Sequence, residues 1–533
     1  MHVKNIPGEQ LPHAETSYRF IFGVLLAYAA AVLAGIFLHP MWRDEMHTWS
    51  MASASSSLGD LLHRKAAEGH PDMWYFMVYG IRQLSNNFLS MQLFHCTLAA
   101  VTVFLILKYA PFTRLQRVLL ISGYFYLFEY AVISRNYAAG VLLITLLLAL
   151  YRHRQRLLPL MALILFLLAQ TNVFGLIFCI AILATWLFEF TVSEEFRDGL
   201  LQQKAAPGIC LTLVLAGIVY SLYSVIPPPS AYFAGAAHFS FSQLTSKGFI
   251  QTAATIWKAW VPVPELKVQF WDTNMLRYEW LQAVLSAGLL FSAALMFVKR
   301  PVIFVLFMTG SAGIMAFLLM YYFGYIRHHG HLYILLITCL WLETFYREND
   351  RHLRPAILER YYTWLKKHRE RLFLILLSLQ CLAGICAMTG QALAPFSAAK
   401  MTAQYITEQK LDRFLIAGDQ DMCLEPVLGY LNREAFFFSR RAAATYAIYD
   451  GSRKMPSPSA LVAMADSMVR AHGDTVLLVM NYPLGEHTGL NLKKVTSFEK
   501  SIRWDEIYFL YLLCPGEGEN RMDRKSPPEA FRK

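Results

Sequence analysis

The stretch MWRDEMHTWSMA, residues 41–52, places two acids, Asp44 and Glu45, just beyond the first long apolar run, among Trp42, His47 and Trp49. Charge beside hydrocarbon is costly and asks for a reason. Similar groups recur where other apolar runs begin or end. EGHPDMWY brings Glu68, His70 and Asp72, and FEYAVISRNY brings Glu129, Arg135, Asn136 and Tyr137. QTN brings Gln170, Thr171 and Asn172, and FGYIRHHGHLY brings Arg327, His328, His329 and His331. Carboxylates in such places can accept a proton from a hydroxyl or hold a divalent metal. Arginine presents a planar fork to phosphate oxygens, and Arg with His can stabilise a departing phosphate. Together these residue types suit transfer from a lipid phosphate to an acceptor hydroxyl, provided that one side of a membrane gathers them.

The elements that must gather them are membrane spans. The chain has 533 residues, of which 56% are hydrophobic and 16% charged, against about 25% charged in soluble domains. Apolar runs of about 20 residues recur, each enough to cross roughly 30 Å of hydrocarbon. Eleven spans are predicted: 18–38, 89–107, 117–133, 135–151, 157–170, 172–190, 207–226, 278–298, 301–323, 330–346 and 371–391. The first is read as an uncleaved span, because no small-residue cleavage site follows it. The net charge of +11 is explained by orientation and not by nucleic acid, because the basic residues fall largely in short loops. Lys108, Arg114 and Arg117 make one such loop, and Arg152, Arg154 and Arg156 another. Lys299 and Arg300 make a third, and the segment 347–371 is the most basic.

If those loops are cytoplasmic, the N-terminus is cytoplasmic too, and the chain is a multi-pass protein of the cytoplasmic (inner) membrane. The outer segments are then 39–88, the turn at 133–136, the loop 227–277, the turn at 324–330 and everything beyond about 392. The segment 71–84 is predicted to lie on the outer surface as an amphipathic helix. Arg135 and Arg327 break the positive-inside pattern, and a cation there needs a partner.

Residues 1–391 thus form a transmembrane domain with outer loops 39–88 and 227–277. A small extracytoplasmic α/β domain, 392–514, follows. RFLIAGD, DTVLLVMN and IYFLYLLC read as strands, and PSALVAMADSMVRAH reads as an amphipathic helix. No Gly-rich phosphate loop follows the first strand, so nucleotide binding is not assigned. The tail 515–533 is predicted to be disordered. Six of the eight cysteines lie in apolar runs. Cys423 and Cys514 lie in the polar domain, where a disulfide between them is possible.

The quoted stretches resemble the GT-C class of integral membrane glycosyltransferases. The likeness is to bacterial enzymes similar to dolichyl-phosphate-mannose protein mannosyltransferases, glycosyltransferase family 39-like. Those enzymes begin with one span and an outer loop bearing an acidic pair in a D-E-x-x-x-W-like context, here DEMHTW, Asp44 to Trp49. A G-H/K-P-P-L-Y-like stretch follows, here GHPDMWY, Gly69 to Tyr75, then an Arg-x-Tyr, here within SRNY, Ser134 to Tyr137. Order, spacing and hydropathy agree over roughly residues 18–190. The resemblance implies transfer of a sugar from a polyprenyl-phosphate carrier, usually with inversion. It maps Asp44 to the candidate base that activates the acceptor and Glu45 to its acidic neighbour. This chain departs from the pattern at Asp72, where a second Pro or small residue is usual. Partners are then membrane lipid, the lipid-linked donor and an acceptor that is a glycan, lipid or protein.

Arg135, Tyr137, Arg327, His328 and His331 are candidates for the donor phosphate. His70, Asp72 and Glu129 are candidates for acceptor or metal. Each has a plainer reading beside it. Asp44 and Glu45 can cap a surface helix flanked by interfacial tryptophans. His70 and Asp72 can cap the 71–84 helix, and Glu129 can form a structural pair with Arg135. Loop 227–277, with Trp257, Trp260 and Trp271, is either a lid or an interfacial helix. Whether a metal cofactor is needed is left open by the spacing. The main alternative function is a transporter or flippase of a lipid-linked glycan, which would place its charges near mid-membrane. A membrane acyltransferase using RHHGH would leave Asp44 and Glu45 unexplained. Eleven spans are excessive for the anchor of a receptor domain.

Overall fold

The structure is a computed structural model that describes residues 17–232, 244–350, 352–485 and 491–515. The predicted tail lies outside these residues beyond its first position. Helix α1 (Tyr18–Leu38) leaves the bundle into three short helices, α2 (Arg43–Ala54), α3 (Leu58–Lys65) and α4 (Met73–Leu84). The chain returns through α5 (Leu89–Tyr109) and α6 (Arg114–Ile121). Then come α7 (Tyr137–Leu150), α8 (Leu158–Ala169), α9 (Val173–Val192), the short α10 (Glu194–Leu201) and α11 (Ala206–Val225). After the loop follow α12 (Ser246–Trp260), α13 (Glu279–Phe297), α14 (Pro301–Met320), α15 (Ile326–Leu342) and α16 (Ala356–Leu393).

Among the described residues, seven of these helices are long and apolar enough to cross a membrane: α1, α5, α9, α11, α13, α14 and α16. At 1.5 Å per residue, twenty-one residues of helix reach about 31 Å, the thickness of the hydrocarbon layer. Each of the eleven predicted runs contains helix, and the chain is a polytopic helical membrane protein with a small C-terminal sheet domain.

Three elements differ from the expected boundaries. The basic segment before the last span is largely helix, because α16 runs unbroken for 38 residues. Pro355 precedes its first turn, and the following Ala, Leu, Glu, Arg and Lys residues favour helix with no breaker. The run 117–133 is not one helix. A π-helical turn, Phe125–Glu129, and irregular turns interrupt it. Helix α15 begins at Ile326, ahead of the predicted 330, which brings Arg327 and His328 into its first turn. Every residue of α15 is buried, so it is the central post of the bundle. Gly330 lets the π turn approach that post, since a Cβ there would fall 2.2 Å from the Phe125 ring.

The C-terminal part adds α17 (Ala399–Glu408), β1 (Leu415–Gly418), α18 (Asp421–Leu431), β2 (Ala435–Phe437) and β3 (Ala442–Ala444). It ends with α19 (Pro458–His472), β4 (Val476–Met480), β5 (Asn491–Phe498) and β6 (Tyr508–Cys514). The strand order is β3-β2-β1-β4-β6-β5. β1 is parallel to β2 and β4, and the remaining pairs are antiparallel. Alternation along β4 separates the two faces. Leu477 and Val479 pack with α17 and α18, while Val476, Leu478 and Met480 pack with α19. Cys423 and Cys514 are both free. Tyr508 donates to the Cys423 carbonyl at 2.7 Å, and six residue steps along β6, at about 3.3 Å each, separate Tyr508 from Cys514.

The sheet domain is seated on the short helices that follow α1. Gly429 of α18 meets Met46 of α2 so closely that a Cβ there would lie 2.3 Å from the Met46 sulfur. Tyr430 OH accepts from the Met41 amide at 2.7 Å, and its ring packs on Phe88.

Candidate active site

Asp44 and Glu45 occupy the first turn of α2, where the helix dipole favours negative charge. They diverge from there. Glu45 is fully buried and is consumed by structure: His39 Nε2 is 2.7 Å away, and the Ser134 amide donates to it at 2.6 Å. Glu45 thereby fixes the irregular segment between the π turn and α7 that carries the next residue, Arg135. Asp44 turns toward open space, with its side chain 23% exposed. Its Oδ2 accepts from Arg327 Nη2 at 3.1 Å and lies 3.8 Å from Arg135 Nη2. Arg135 also donates to the Asp44 carbonyl.

The two guanidiniums keep donors in reserve. Arg135 Nε and Arg327 Nε and Nη1 are buried without a hydrogen-bond partner among the described residues. Burial raises the Asp44 pKa, but Arg135, Arg327, Arg43 and Arg503 outweigh it and hold the carboxyl at about 2. Arg327 stands in an aromatic box, 5.2 Å from the Trp42 ring, 5.3 Å from Trp271 and 4.7 Å from Tyr325. Such stacking holds a cation without neutralising it.

The other predicted residues surround this pair at different removes. Tyr137 packs on His328 and His331, with ring centroids 5.8 and 5.5 Å apart. His328 Nδ1 accepts from the Tyr325 amide at 2.8 Å and closes the first turn of α15. His331 stacks on Phe174 at 4.4 Å, and Tyr130 donates to the Arg327 carbonyl at 2.7 Å. These groups form the wall behind Arg327.

Glu129 does not pair with Arg135. The π turn sends it the other way, where it accepts from Tyr124 OH at 2.9 Å and Trp271 Nε1 at 3.0 Å, so it positions the aromatic box. His70 is half-buried, and burial together with the nearby Arg135 charge lowers its pKa to about 3. Asp72 is committed elsewhere. One oxygen pairs with buried Lys65, and the other accepts from Tyr220 OH at 2.5 Å.

Three features of the site come from outside the quoted motifs, and of these the sequence reading missed Arg503 altogether. Trp271 comes from the loop 227–277 to line the box. The helix from that loop, α12, packs against α13 and α15, and Trp260 donates to the Leu332 carbonyl at 3.3 Å. Arg503, from the sheet domain, reaches the same aromatic rings as Arg327. Nothing in SIRWDE marks Arg503 as a site residue, because its neighbours are hundreds of positions away in sequence. Among the described residues, no three His, Cys, Asp or Glu side chains gather as a metal-ligand set. The guanidiniums around Asp44 oppose a divalent cation at that carboxylate.

The fold and site define a multi-pass helical membrane protein whose anion-receptive cluster lies where several spans meet the sheet domain. No family model matches the chain. No curated protein matches it in sequence. Solved structures similar to it include ArnT from Cupriavidus metallidurans bound to undecaprenyl phosphate. That structure is 11% identical, covers 93% of this chain and 98% of its own, and has a TM-score of 0.47. The apo state of the same protein is 13% identical, covers 92% of this chain and 98% of its own, and also has a TM-score of 0.47.

Proposed function

We propose that this protein is a GT-C-type membrane glycosyltransferase. It moves a sugar from a polyprenyl-phosphate donor to an acceptor hydroxyl at the extracytoplasmic face of the cytoplasmic membrane. The observation that carries this reading is the meeting of Asp44 with Arg327 and Arg135, both of which keep unpartnered buried donors. An acid beside spare guanidinium donors is what a hydroxyl and a lipid phosphate need between them. The motif order along residues 18–190 supports the same reading, and the distribution of Arg and Lys supports the orientation.

In the reaction, the acceptor oxygen forms a bond to the anomeric carbon as its proton passes to Asp44. The bond from that carbon to the phosphate oxygen breaks, and the phosphate leaves with the electron pair. Arg135 and Arg327 neutralise the charge that grows on it. A single displacement of this kind inverts the anomeric centre. Glu45 holds Arg135 in place, Tyr137, His328 and His331 back Arg327, and His70, kept neutral beside Arg135, is the imidazole proposed for the acceptor.

The test is transfer from a panel of radiolabelled polyprenyl-phosphate sugars to envelope acceptors, with the purified protein in nanodiscs. Wild type should transfer and Asp44→Asn, at equal expression and stability, should not. Full activity in Asp44→Asn would remove Asp44 as the base. Lipid-glycan translocation without transfer would favour a flippase.

A further inference from the structure

Arg503 belongs to the sheet domain, far from every motif that singled out the site. Yet its guanidinium carbon lies 5.3 Å from the Trp42 ring, 5.3 Å from Trp271 and 5.9 Å from Tyr325. These are the three rings that hold Arg327. The three come from separate places: the start of α2, the loop before α13 and the turn before α15. Two arginines from two domains therefore share one aromatic box beside Asp44.

Resting the domain on the bundle does not require a guanidinium at this point. The Ile502 amide donates to the Pro395 carbonyl and the Arg503 amide to the Phe396 carbonyl, both at 2.9 Å. Ser501 Oγ donates to Phe396 O at 2.9 Å, and the Arg43 amide donates to Glu506 at 3.0 Å. The first three bonds hold the 501–503 segment to residues 395–396 within the domain, and Arg43 to Glu506 with Met41 to Tyr430 fasten the domain to the start of α2 through backbone donors. The Arg503 side chain goes further than fastening needs, and only 6% of the residue stays exposed.

Charge is the second argument. Arg503 pairs with Asp505 at 2.8 Å, and Arg43 pairs with the same carboxylate at 2.8 Å. Four guanidiniums, Arg43, Arg135, Arg327 and Arg503, thus stand around two carboxylates, Asp44 and Asp505. Glu506 compensates little, because burial pushes its carboxyl up to about 7. Asp272 and Glu129 also stand near Arg327, but burial raises the Asp272 carboxyl and Glu129 already accepts from Tyr124 and Trp271. The four guanidiniums therefore outnumber the carboxylates paired with them, Asp44 and Asp505, in a poorly hydrated place where an anion has most to gain.

We propose that Arg503 is a third donor-phosphate residue and that the sheet domain completes the lipid-phosphate site when it is seated on α2. This rests on the function proposed above and deepens it. The C-terminal domain is then part of the donor site. Asp505 is the carboxylate that holds Arg503 until a phosphate takes its place.

Binding of a polyprenyl monophosphate to the full-length protein in nanodiscs tests this, with the dephosphorylated polyprenol as the control ligand. Arg503→Gln should weaken phosphate-dependent binding about tenfold or more, the loss of one charge-assisted hydrogen bond. Arg503→Lys should fall between the two. Asp505→Asn, which releases Arg503, should bind more tightly than wild type; weaker binding there would mean that the segment only anchors the domain. Limited proteolysis at the 391–396 junction reports whether the domain is still seated. Equal affinity of wild type and Arg503→Gln overturns the role of Arg503 and leaves the proposed function standing. Lost affinity in Arg503→Gln together with lost protection also overturns it. A wild type that does not distinguish the phosphate from the alcohol overturns both.

Discussion

Asp44 and Arg327, 283 residues apart, meet at 3.1 Å through Asp44 Oδ2, the same oxygen that faces Arg135 Nη2 at 3.8 Å. In the proposed reaction this carboxylate competes with the donor phosphate for the same guanidiniums. The proposed base is therefore held in its weakest form, at about pKa 2, until a stronger anion engages those arginines. Donor binding would release it for proton transfer.

Opposite effects on binding and turnover should follow at this residue. Asp44→Asn removes the competing charge, so polyprenyl monophosphate should bind severalfold more tightly. Transfer should fall by roughly 10²–10⁴, the range for a lost general base. Lipid-binding titrations and single-turnover transfer on the same preparation check both; weaker lipid binding in the variant would contradict the competition.

Glu45 should act through structure. Glu45→Ala strands buried His39 and the Ser134 amide, each of which loses its carboxylate partner. The expected cost is about 1–3 kcal/mol per buried group left unsatisfied. Activity should fall along with stability, because the segment carrying Arg135 loosens. Thermal unfolding in detergent beside transfer assays measures the two.

Asp72 separates a structural acid from a reactive one. Its oxygens are taken by Lys65 and Tyr220. Asp72→Asn leaves a buried ammonium without its counter-ion, at a cost of about 3–5 kcal/mol. The fraction that folds should bind polyprenyl monophosphate with wild-type affinity. An unchanged melting temperature with lost affinity would instead make Asp72 a ligand.

Seating of the sheet domain should depend on pH through His47. Its Nδ1 is 2.9 Å from Glu425 of α18, and its Nε2 is 2.9 Å from Glu68. Burial lowers the His47 pKa, but Glu425 and Glu68 outweigh it and raise it well above 6.5. A raised folded pKa stabilises fully below the unfolded value, about 6.5, and the gain is lost as pH climbs through the folded value. Protease protection of the domain should thus decline on the alkaline side, and His47→Gln should flatten that dependence. Protection that grows with pH would contradict the clamp.

The sequence by itself determined the class of fold, because each span must carry its own apolar run and each loop its own basic residues. Residues 18–38, 89–107 and 301–323 are visible as spans for that local reason. The segments at the ends of spans likewise announced Asp44, Arg135 and Arg327, since charge at a membrane edge stands out against hydrocarbon. The sequence did not determine which of those charges meet. Asp72 and Glu129 look as reactive as Asp44 in one dimension, but Lys65 and Tyr220 consume the first, and Tyr124 and Trp271 the second. Adjacent Asp44 and Glu45 take different fates because one helical turn points them in different directions. Trp271 and Arg503 become neighbours of Arg327 only when the loop and the sheet domain fold back on the bundle. Hydropathy is a property of each segment alone, whereas the charge balance at Asp44 is a sum over four distant segments, and only the tertiary structure decided it.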